Sequence, residues 1–191
     1  MVVSRWEPNA RGRLVEAAMD LYIERGFDQT TVAQIAQRAG LTERTFFRYF
    51  ADKREVLFWG SATLQELLVE TLEGLPPSLA PIDAVAGALD VIAHGFEERR
   101  VFALRRQSVI ASNPELQERE LIKLESLTVA TAQALRSRGA SDLVATLSAH
   151  AGIAVFKVAF EQWVKDDGQI TLAQFITASF TELKSVSAGG S

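Results

Sequence analysis

Arg44, Thr45, Arg48, Tyr49 and Lys53 lie within ten positions of one another, and each carries a group that can meet the surface of a nucleic acid. An arginine fork matches the two acceptors on a guanine edge, and a threonine methyl can meet the methyl of thymine. Tyrosine hydroxyls and lysine ammoniums suit phosphate oxygens. Groups for other chemistry are scarce. The chain has no cysteine and two histidines, His94 and His150. A zinc site would need both histidines plus carboxylates, so no metal is expected. Glu97 and Glu98 pair in sequence, but neighbours on a helix diverge by about 100°, which reads as a solvated face. There is no nucleophile elbow, phosphate-cradling glycine loop or triad spacing. The residues point to binding rather than bond making, so neither enzyme activity nor a cofactor is expected.

These groups need a rigid carrier. Leu14, Ala17, Ala18 and Leu21 repeat at i, i+3, i+4, i+7 along one helix that Gly26 ends. Val32, Ile35, Ala36 and Ala39 do the same along a second, which Thr30-Thr31 can cap. Gly40-Leu41-Thr42 is a tight turn, with Leu41 able to plug the core beneath it. Thr42 can cap a third helix running to about Phe50. Two short amphipathic helices around a glycine-containing turn give a helix-turn-helix. On the third helix Phe46 and Phe50 point inward. Arg44 and Arg48 fall roughly opposite, with Thr45 to one side and Phe47 to the other. Phe47 either faces DNA or packs against the next helix. Tyr49 and Lys53, near the helix end, suit phosphates. The first amides of the second helix, at Thr31 and Val32, offer another phosphate seat. Glu43 complements the helix dipole or meets a cytosine amino group. Arg5 precedes the first helix in an arm that could enter a minor groove.

Beyond this point nearly every segment reads as helix. Asp52 can cap a fourth helix over 53–73. A loop rich in glycine and proline follows at 74–81. Helices are then expected over 82–97, 99–111, 113–139, 142–165 and 171–186, with neither strands nor repeats. The fold is expected to be all-α.

The length suits one compact unit of ordinary size, or a small module fused to a larger one. Apolar residues make up 48% of the 191, and mean hydropathy is +0.08. No run of eighteen purely apolar residues occurs, so a membrane span is not expected. The surplus apolar surface is expected to enter a pocket or a partner subunit. The absence of cysteine and of an apolar h-region in residues 1–9 suits a cytoplasmic protein. Net charge is −4, which excludes a protein that coats nucleic acid over its whole surface. Residues 1–54 carry nine Lys/Arg against seven Asp/Glu, and the rest carry eleven against seventeen. Attraction for phosphate is therefore local to the N-terminal end.

The run Gly26-Phe27-Asp28-Gln29-Thr30-Thr31-Val32, then Ile35-Ala36, Ala39-Gly40-Leu41, Thr45-Phe46-Phe47-Arg48-Tyr49-Phe50 and Lys53 resembles the N-terminal domain of the tetracycline-repressor (TetR) family. The likeness covers about 45 residues, from Arg11 to Leu57. The remainder matches only in kind. The resemblance implies a dimer that binds a palindromic operator in double-stranded DNA, usually as a repressor. A small molecule entering the C-terminal domain would release it. By position, Thr42, Arg44, Thr45 and Arg48 would face bases, while Thr31, Tyr49 and Lys53 would hold phosphates. Position 47 is commonly tyrosine in the family. Phe47 has no hydroxyl, so it is either an apolar base contact or a lost phosphate bond.

Residues 1–52 are thus expected to be a three-helix helix-turn-helix DNA-binding domain, with 1–10 a flexible arm. Residues 53–186 are expected to be a larger helical effector-binding and dimerisation domain, and 187–191 a flexible tail. Effector-pocket candidates are Phe58, Trp59, Leu67, Phe96, Phe102, Leu127 and Phe156, each of which could equally be core. Arg99-Arg100 and Arg105-Arg106 are either surface charges balancing Glu97-Glu98, or a rim, Arg105 included, that holds a carboxylate or phosphate of an acyl-type ligand. The helix over 142–165 is apolar on two sides and must be covered on both. Its face of Ala151, Ala154, Val155 and Val158 is assigned to a homodimer seam, with Phe175, Ala178 and Ser179 of the last helix as companions. The helix over 53–73 is expected to link the reading head to the pocket. A regulator without an effector is the alternative.

Overall fold

The computed structural model describes residues 9–189. Arg5, most of the expected arm and the last two residues of the expected tail lie outside that range. Among the described residues the chain forms ten helices and no strand. They are α1 (Ala10–Arg25), α2 (Val32–Arg38), α3 (Glu43–Tyr49), α4 (Glu55–Phe58), α5 (Ser61–Gly74), α6 (Pro81–Glu97), α7 (Arg100–Ala111), α8 (Pro114–Ser137), α9 (Asp142–Lys165) and α10 (Leu172–Ser187). The all-α expectation holds. Four local expectations need correction. Ala10 already belongs to α1, because the Asn9 side chain accepts from Gly12 N at 3.0 Å and caps it. Ser187 still belongs to α10. The cap of α2 is Thr31 alone, since Thr30 is buried with its hydroxyl turned back to the carbonyls of Leu21 and Gly26. The helix expected over 53–73 is broken in two by a turn at Trp59-Gly60, where glycine weakens the helix by about 1 kcal/mol relative to alanine.

The chain divides into two compact units, one of Met1–Gly60 with Arg105–Glu118, the other of Ser61–Leu104 with Arg119–Ser191. The linear boundary expected at 52/53 therefore moves, and a later segment joins the first unit. The bonds within that unit explain why. Arg105 pairs with Glu16 and Asp20, Arg106 Nε donates to the carbonyl of Leu57 at 2.8 Å, and Asn113 Nδ2 donates to Asp28 at 3.2 Å. The core of this unit is the apolar face of α1 (Leu14, Ala18, Leu21) against Ile35, Ala36, Phe46, Val56 and Leu57, all buried.

In the second unit α9 contributes Ala145, Ala149, Gly152, Ile153, Phe156, Ala159 and Trp163 to a core shared with α5, α6 and α10. Its mean hydropathy over an 18-residue window is 1.7, so by length and composition it could cross a membrane. This qualifies the expectation drawn from uninterrupted apolar runs. Much of that apolar character serves the core instead. Gly152 is there for space, because a Cβ would overlap the Cγ1 of Val85 on α6.

Opposite outcomes are expected at two helical glycines. Alanine is favoured over glycine in a helix by about 1 kcal/mol, whereas overpacking costs about 1–3 kcal/mol. Gly95 on α6 has nothing within 4 Å of its would-be Cβ. Thermal unfolding of Gly95→Ala should rise by about 2–4 °C, while that of Gly152→Ala should fall. Adding Val85→Ala to Gly152→Ala should recover part of the loss. An equal rise in both single variants would show that the α6–α9 contact is not tight.

Candidate functional site

Two caps place the short helices. Thr31 Oγ1 accepts from Gln34 N at 3.3 Å while Gln34 Oε1 accepts from Thr31 N at 2.9 Å, a reciprocal capping box. Thr42 Oγ1 accepts from Thr45 N at 3.2 Å and opens α3. Between them Gly40 sits at φ 66°, a conformation that favours glycine. The half-buried Leu41 donates its N–H to the carbonyl of Ala36 at 2.8 Å. Thr42 Oγ1 also lies 3.0 Å from Thr45 Oγ1, so backbone and side chain of Thr45 both meet the capping hydroxyl.

The angular reading of α3 is what the structure contains. Phe46 and Phe50 are buried with ring centroids 5.4 Å apart. Arg44 and Arg48 are exposed, and Thr45 is half-buried. Phe47 is 55% exposed, its ring meeting the edge of Phe46 at 5.5 Å. It does not pack away under α4. Tyr49 is half-buried, and its hydroxyl accepts from Arg48 Nη2 at 3.0 Å. Arg48 therefore has a fixed direction, with its guanidinium carbon 4.9 Å from the Tyr49 ring centroid. Thr31, Thr42, Arg44, Thr45, Phe47, Arg48 and Tyr49 belong to one compact unit.

Lys53 requires correction. Expected to hold a phosphate, it donates instead to the carbonyls of Phe27 at 2.8 Å, Thr30 at 2.9 Å and Asp28 at 3.3 Å, with its ammonium 4.3 Å from the Phe27 ring centroid. An ammonium has three N–H donors, and the carbonyls of the α1–α2 loop take them. Nearby, α4 begins later than expected, with Arg54 and not Asp52 at the N-cap position, and Asp52 braces the turn before it by accepting from Arg54 N at 2.8 Å and Glu55 N at 3.2 Å. The Arg54 guanidinium, 2.6 Å away, holds the Asp52 carboxyl below its ordinary pKa. Burial, with a smaller contribution from Asp52, pushes the Tyr22 hydroxyl well above its ordinary value, so it remains a donor to the Lys53 carbonyl at 2.6 Å.

The expected pocket residues divide between the two units. Phe58 is buried in the first unit under the guanidinium of Arg106, 5.0 Å from its ring centroid. Arg105 is committed to Glu16 and Asp20 of α1 rather than to a ligand. Trp59 and Leu67 are exposed, Leu127 is core, and Phe102 is half-buried. Phe96 and Phe156 do meet, in an aromatic cluster with Phe160 and Trp163 whose centroids lie 5.5–6.4 Å apart. Beside that cluster Arg100 lies over the Trp163 ring at 4.5 Å and donates through Nη2 to the carbonyls of Trp163 and Asp166. Arg100 Nη1 and Trp163 Nε1 are both buried without a hydrogen-bond partner. A buried donor without an acceptor is costly, so this pair is suited to a carboxylate, phosphate or carbonyl oxygen. A depression of about 280 Å³ elsewhere in the unit is lined by Pro77, Leu79, Pro81, Leu135, Arg138, Gly139 and Ala140, none of them expected. Its arginine is occupied by the carbonyls of Leu72, Leu75 and Pro76.

The expected seam is also revised. Val155 is buried in its own chain, because it lies about 60° from Gly152 around α9. Phe175 packs on the same core. Ala154 and Ala178 are exposed, while Ala151 and Ser179 are half-buried. Val158 is 48% exposed and continues a stripe from Leu143 (68%) and Leu147 (60%). The two leucines were missed, although their spacing to Ala154 and Val158 marks one helical face.

Comparison with known proteins agrees with this architecture. Residues 14–58 match the bacterial regulatory proteins of the tetR family, and residues 79–188 match the MftR C-terminal domain. The chain is 26% identical over 181 residues to MftR of Mycobacterium tuberculosis, a relative named for regulation of mycofactocin biosynthesis, covering 93% of this chain and 91% of that one. It is 35% identical over 82 residues to the transcriptional regulator TcmR of Streptomyces glaucescens, spanning 43% of this chain but only 36% of TcmR. Among solved structures, FadR of Thermus thermophilus, a TetR-family repressor in complex with lauroyl-CoA, superposes with a TM-score of 0.56 at 26% identity, over 91% of this chain and 93% of that one. FadR of Bacillus subtilis in complex with stearoyl-CoA shares the fold, with a TM-score of 0.62 at 18% identity over 88% and 94%. With a helix-turn-helix matched at one end and a helical C-terminal domain matched over most of the remainder, this chain belongs to the tetR family of bacterial transcriptional regulators.

Proposed function

We propose that this regulator is a repressor that reads a palindromic operator as a homodimer and releases it when an amphipathic acyl-type effector binds the C-terminal domain. The observation that carries the reading is the outer face of α3. Arg44, Thr45, Phe47 and Arg48 stand away from the buried Phe46 and Phe50, and Tyr49 fixes the direction of Arg48. Arg44 and Arg48 have no ion pair among the described residues, so the fork of Arg44 and the N–H groups that Arg48 does not give to Tyr49 are available for guanine edges. Phe47 is suited to a thymine methyl. Thr31 and Thr42, whose hydroxyls cap α2 and α3, bring amide-rich helix starts towards the DNA backbone.

A palindromic operator calls for two copies. The stripe of Leu143, Leu147, Ala154 and Val158 on α9 supports a seam, with Ala151, Ala178 and Ser179 on its flank. Large exposed apolar side chains in a row are the usual mark of an interface. The unpartnered donors of Arg100 and Trp163 beside an aromatic cluster support an effector with an oxygen-bearing head and an apolar body, and the likeness to an acyl-CoA-bound relative points the same way. The helix broken at Trp59-Gly60 is a poor lever. Helix α7 suits that role better, with Arg100 near the aromatic cluster at its start and Arg105 held to α1 further along. Release then follows from any difference in effector affinity between states that do and do not fit successive major grooves, about 34 Å apart.

Fluorescence anisotropy with a duplex from the gene's own upstream region tests the reading head. Arg44→Ala and Arg48→Ala should each weaken binding by about 1–3 kcal/mol and relax sequence preference. A double variant that binds like the parent would remove α3 from the interface. Sedimentation tests the seam, and Leu147→Glu should convert a dimer to a monomer at micromolar concentration. For the effector, lauroyl-CoA should release the duplex from the parent protein and do so less well from Arg100→Met. No release by acyl-CoA of any chain length would favour a regulator without such an effector.

A further inference from the structure

Several cations of the first unit are already engaged within it. Arg38 is paired with Glu24 at 2.7 Å, Arg54 with Asp52 and Glu115, and Lys53 with three loop carbonyls. Arg13 donates to the carbonyl of Ala39. Arg11 is different. It stands exposed on the first turn of α1, held there by the Asn9 cap, and has no ion pair among the described residues. Its guanidinium carbon lies 5.4 Å from the centroid of the Tyr49 ring, the same ring that carries Arg48 at 4.9 Å. The start of α1 and the end of α3 therefore meet across one aromatic side chain. The two guanidiniums can be no more than about 10 Å apart, about one Debye length at ~0.1 M salt.

Like charges held that close on one platform repel, and among the described residues no carboxylate bridges them. What relieves the repulsion is an anion brought from outside. Arg48 already gives one N–H to the Tyr49 hydroxyl, which leaves Arg11 with its planar fork unoccupied, the geometry that suits a phosphate. We propose that Arg11, seated on Tyr49, binds a backbone phosphate of the operator at the end of α3, the role the sequence suggested for Lys53. Tyr49 acts as the shared platform, orienting Arg48 through its hydroxyl and Arg11 through its ring face. The proposal rests on the DNA-binding reading above and adds a residue to it.

Salt dependence separates this role from a structural one. Each phosphate contact adds about 0.9 to the slope of log K against log salt on duplex DNA. Dissociation constants of the full-length parent, Arg11→Ala, Arg11→Lys and Lys53→Met should be measured between 50 and ~200 mM salt, on the upstream duplex and on an unrelated duplex of equal length. Arg11→Ala should flatten the slope by about 0.9 per subunit and weaken both duplexes by the same factor. Arg11→Lys should keep the parental slope, and so should Lys53→Met where it remains folded by circular dichroism. An unchanged slope in Arg11→Ala, or a loss confined to the upstream duplex, would overturn the proposal. A flattened slope in Lys53→Met with none in Arg11→Ala would return the phosphate to Lys53. Failure of the parent protein to prefer its upstream duplex would instead sink the operator-binding reading itself.

Discussion

The ammonium of Lys53 is the tie on which the helix-turn-helix depends. Gly26 turns the chain at φ 85° after α1, and the loop that follows points the carbonyls of Phe27, Asp28 and Thr30 at one place. Without a donor there, three converging carbonyls would repel one another, and the one of the buried Thr30 would lose the donor that reaches it. Lys53 supplies all three bonds, and its charge makes each stronger than a neutral one. Its own carbonyl is held in turn by the Tyr22 hydroxyl from α1. The residue is therefore fixed at both ends. α2 starts just beyond the loop that it gathers, and α3 ends four residues before it. The recognition helix is bracketed by groups that refer back to α1, so its outer face inherits a defined direction rather than a loose one.

That internal use of charge has an electrostatic consequence. A chain of net charge −4 must present positive potential locally to approach a polyanion. Lys53, Arg38 and Arg54 are neutralised or occupied inside the unit. What remains outward, with no ion pair among the described residues, is Arg11, Arg25, Arg44 and Arg48, of which Arg11 and Arg48 meet at the Tyr49 ring. A few well-aimed guanidiniums favour discrimination over bulk attraction, because nonspecific affinity scales with the number of phosphates neutralised.

The recognition helix was legible in sequence because two strong local rules coincide there. Phe46 and Phe50 differ from Arg44 and Arg48 by angle alone, and Thr31 and Thr42 announce their helices through hydroxyls placed three residues before the amides they cap. What escaped was decided by direction or by distant chain. Nothing in the residue type of Lys53 says whether carbonyls or phosphates will meet its ammonium. Arg105 finds Glu16 and Asp20 across some ninety positions, beyond any periodic signal. Val155 sits on the shoulder of α9, where a rotation of a few tens of degrees moves a side chain from the outer face to the core. The pocket was least legible, since an apolar residue reads the same whether it faces a neighbour or a ligand.

Helix α9 shows how the two levels of organisation constrain each other. Its inner arc is filled by small residues such as Ala145, Ala149 and Gly152 as well as by Phe156 and Trp163, so close approach of α6 and α10 leaves no room for the outer leucines to turn inward. Leu143, Leu147 and Val158 stay exposed in the single chain. At about 25 cal/mol per Å² of apolar surface removed from water, covering them with a second copy favours association. On the proposed dimeric reading, folding and pairing are linked, and apparent stability would rise with protein concentration. Occupancy of a two-fold operator would inherit the same dependence. Were the free chain monomeric, such a site would fill with the square of its concentration, a sharper response than one reading head alone could deliver.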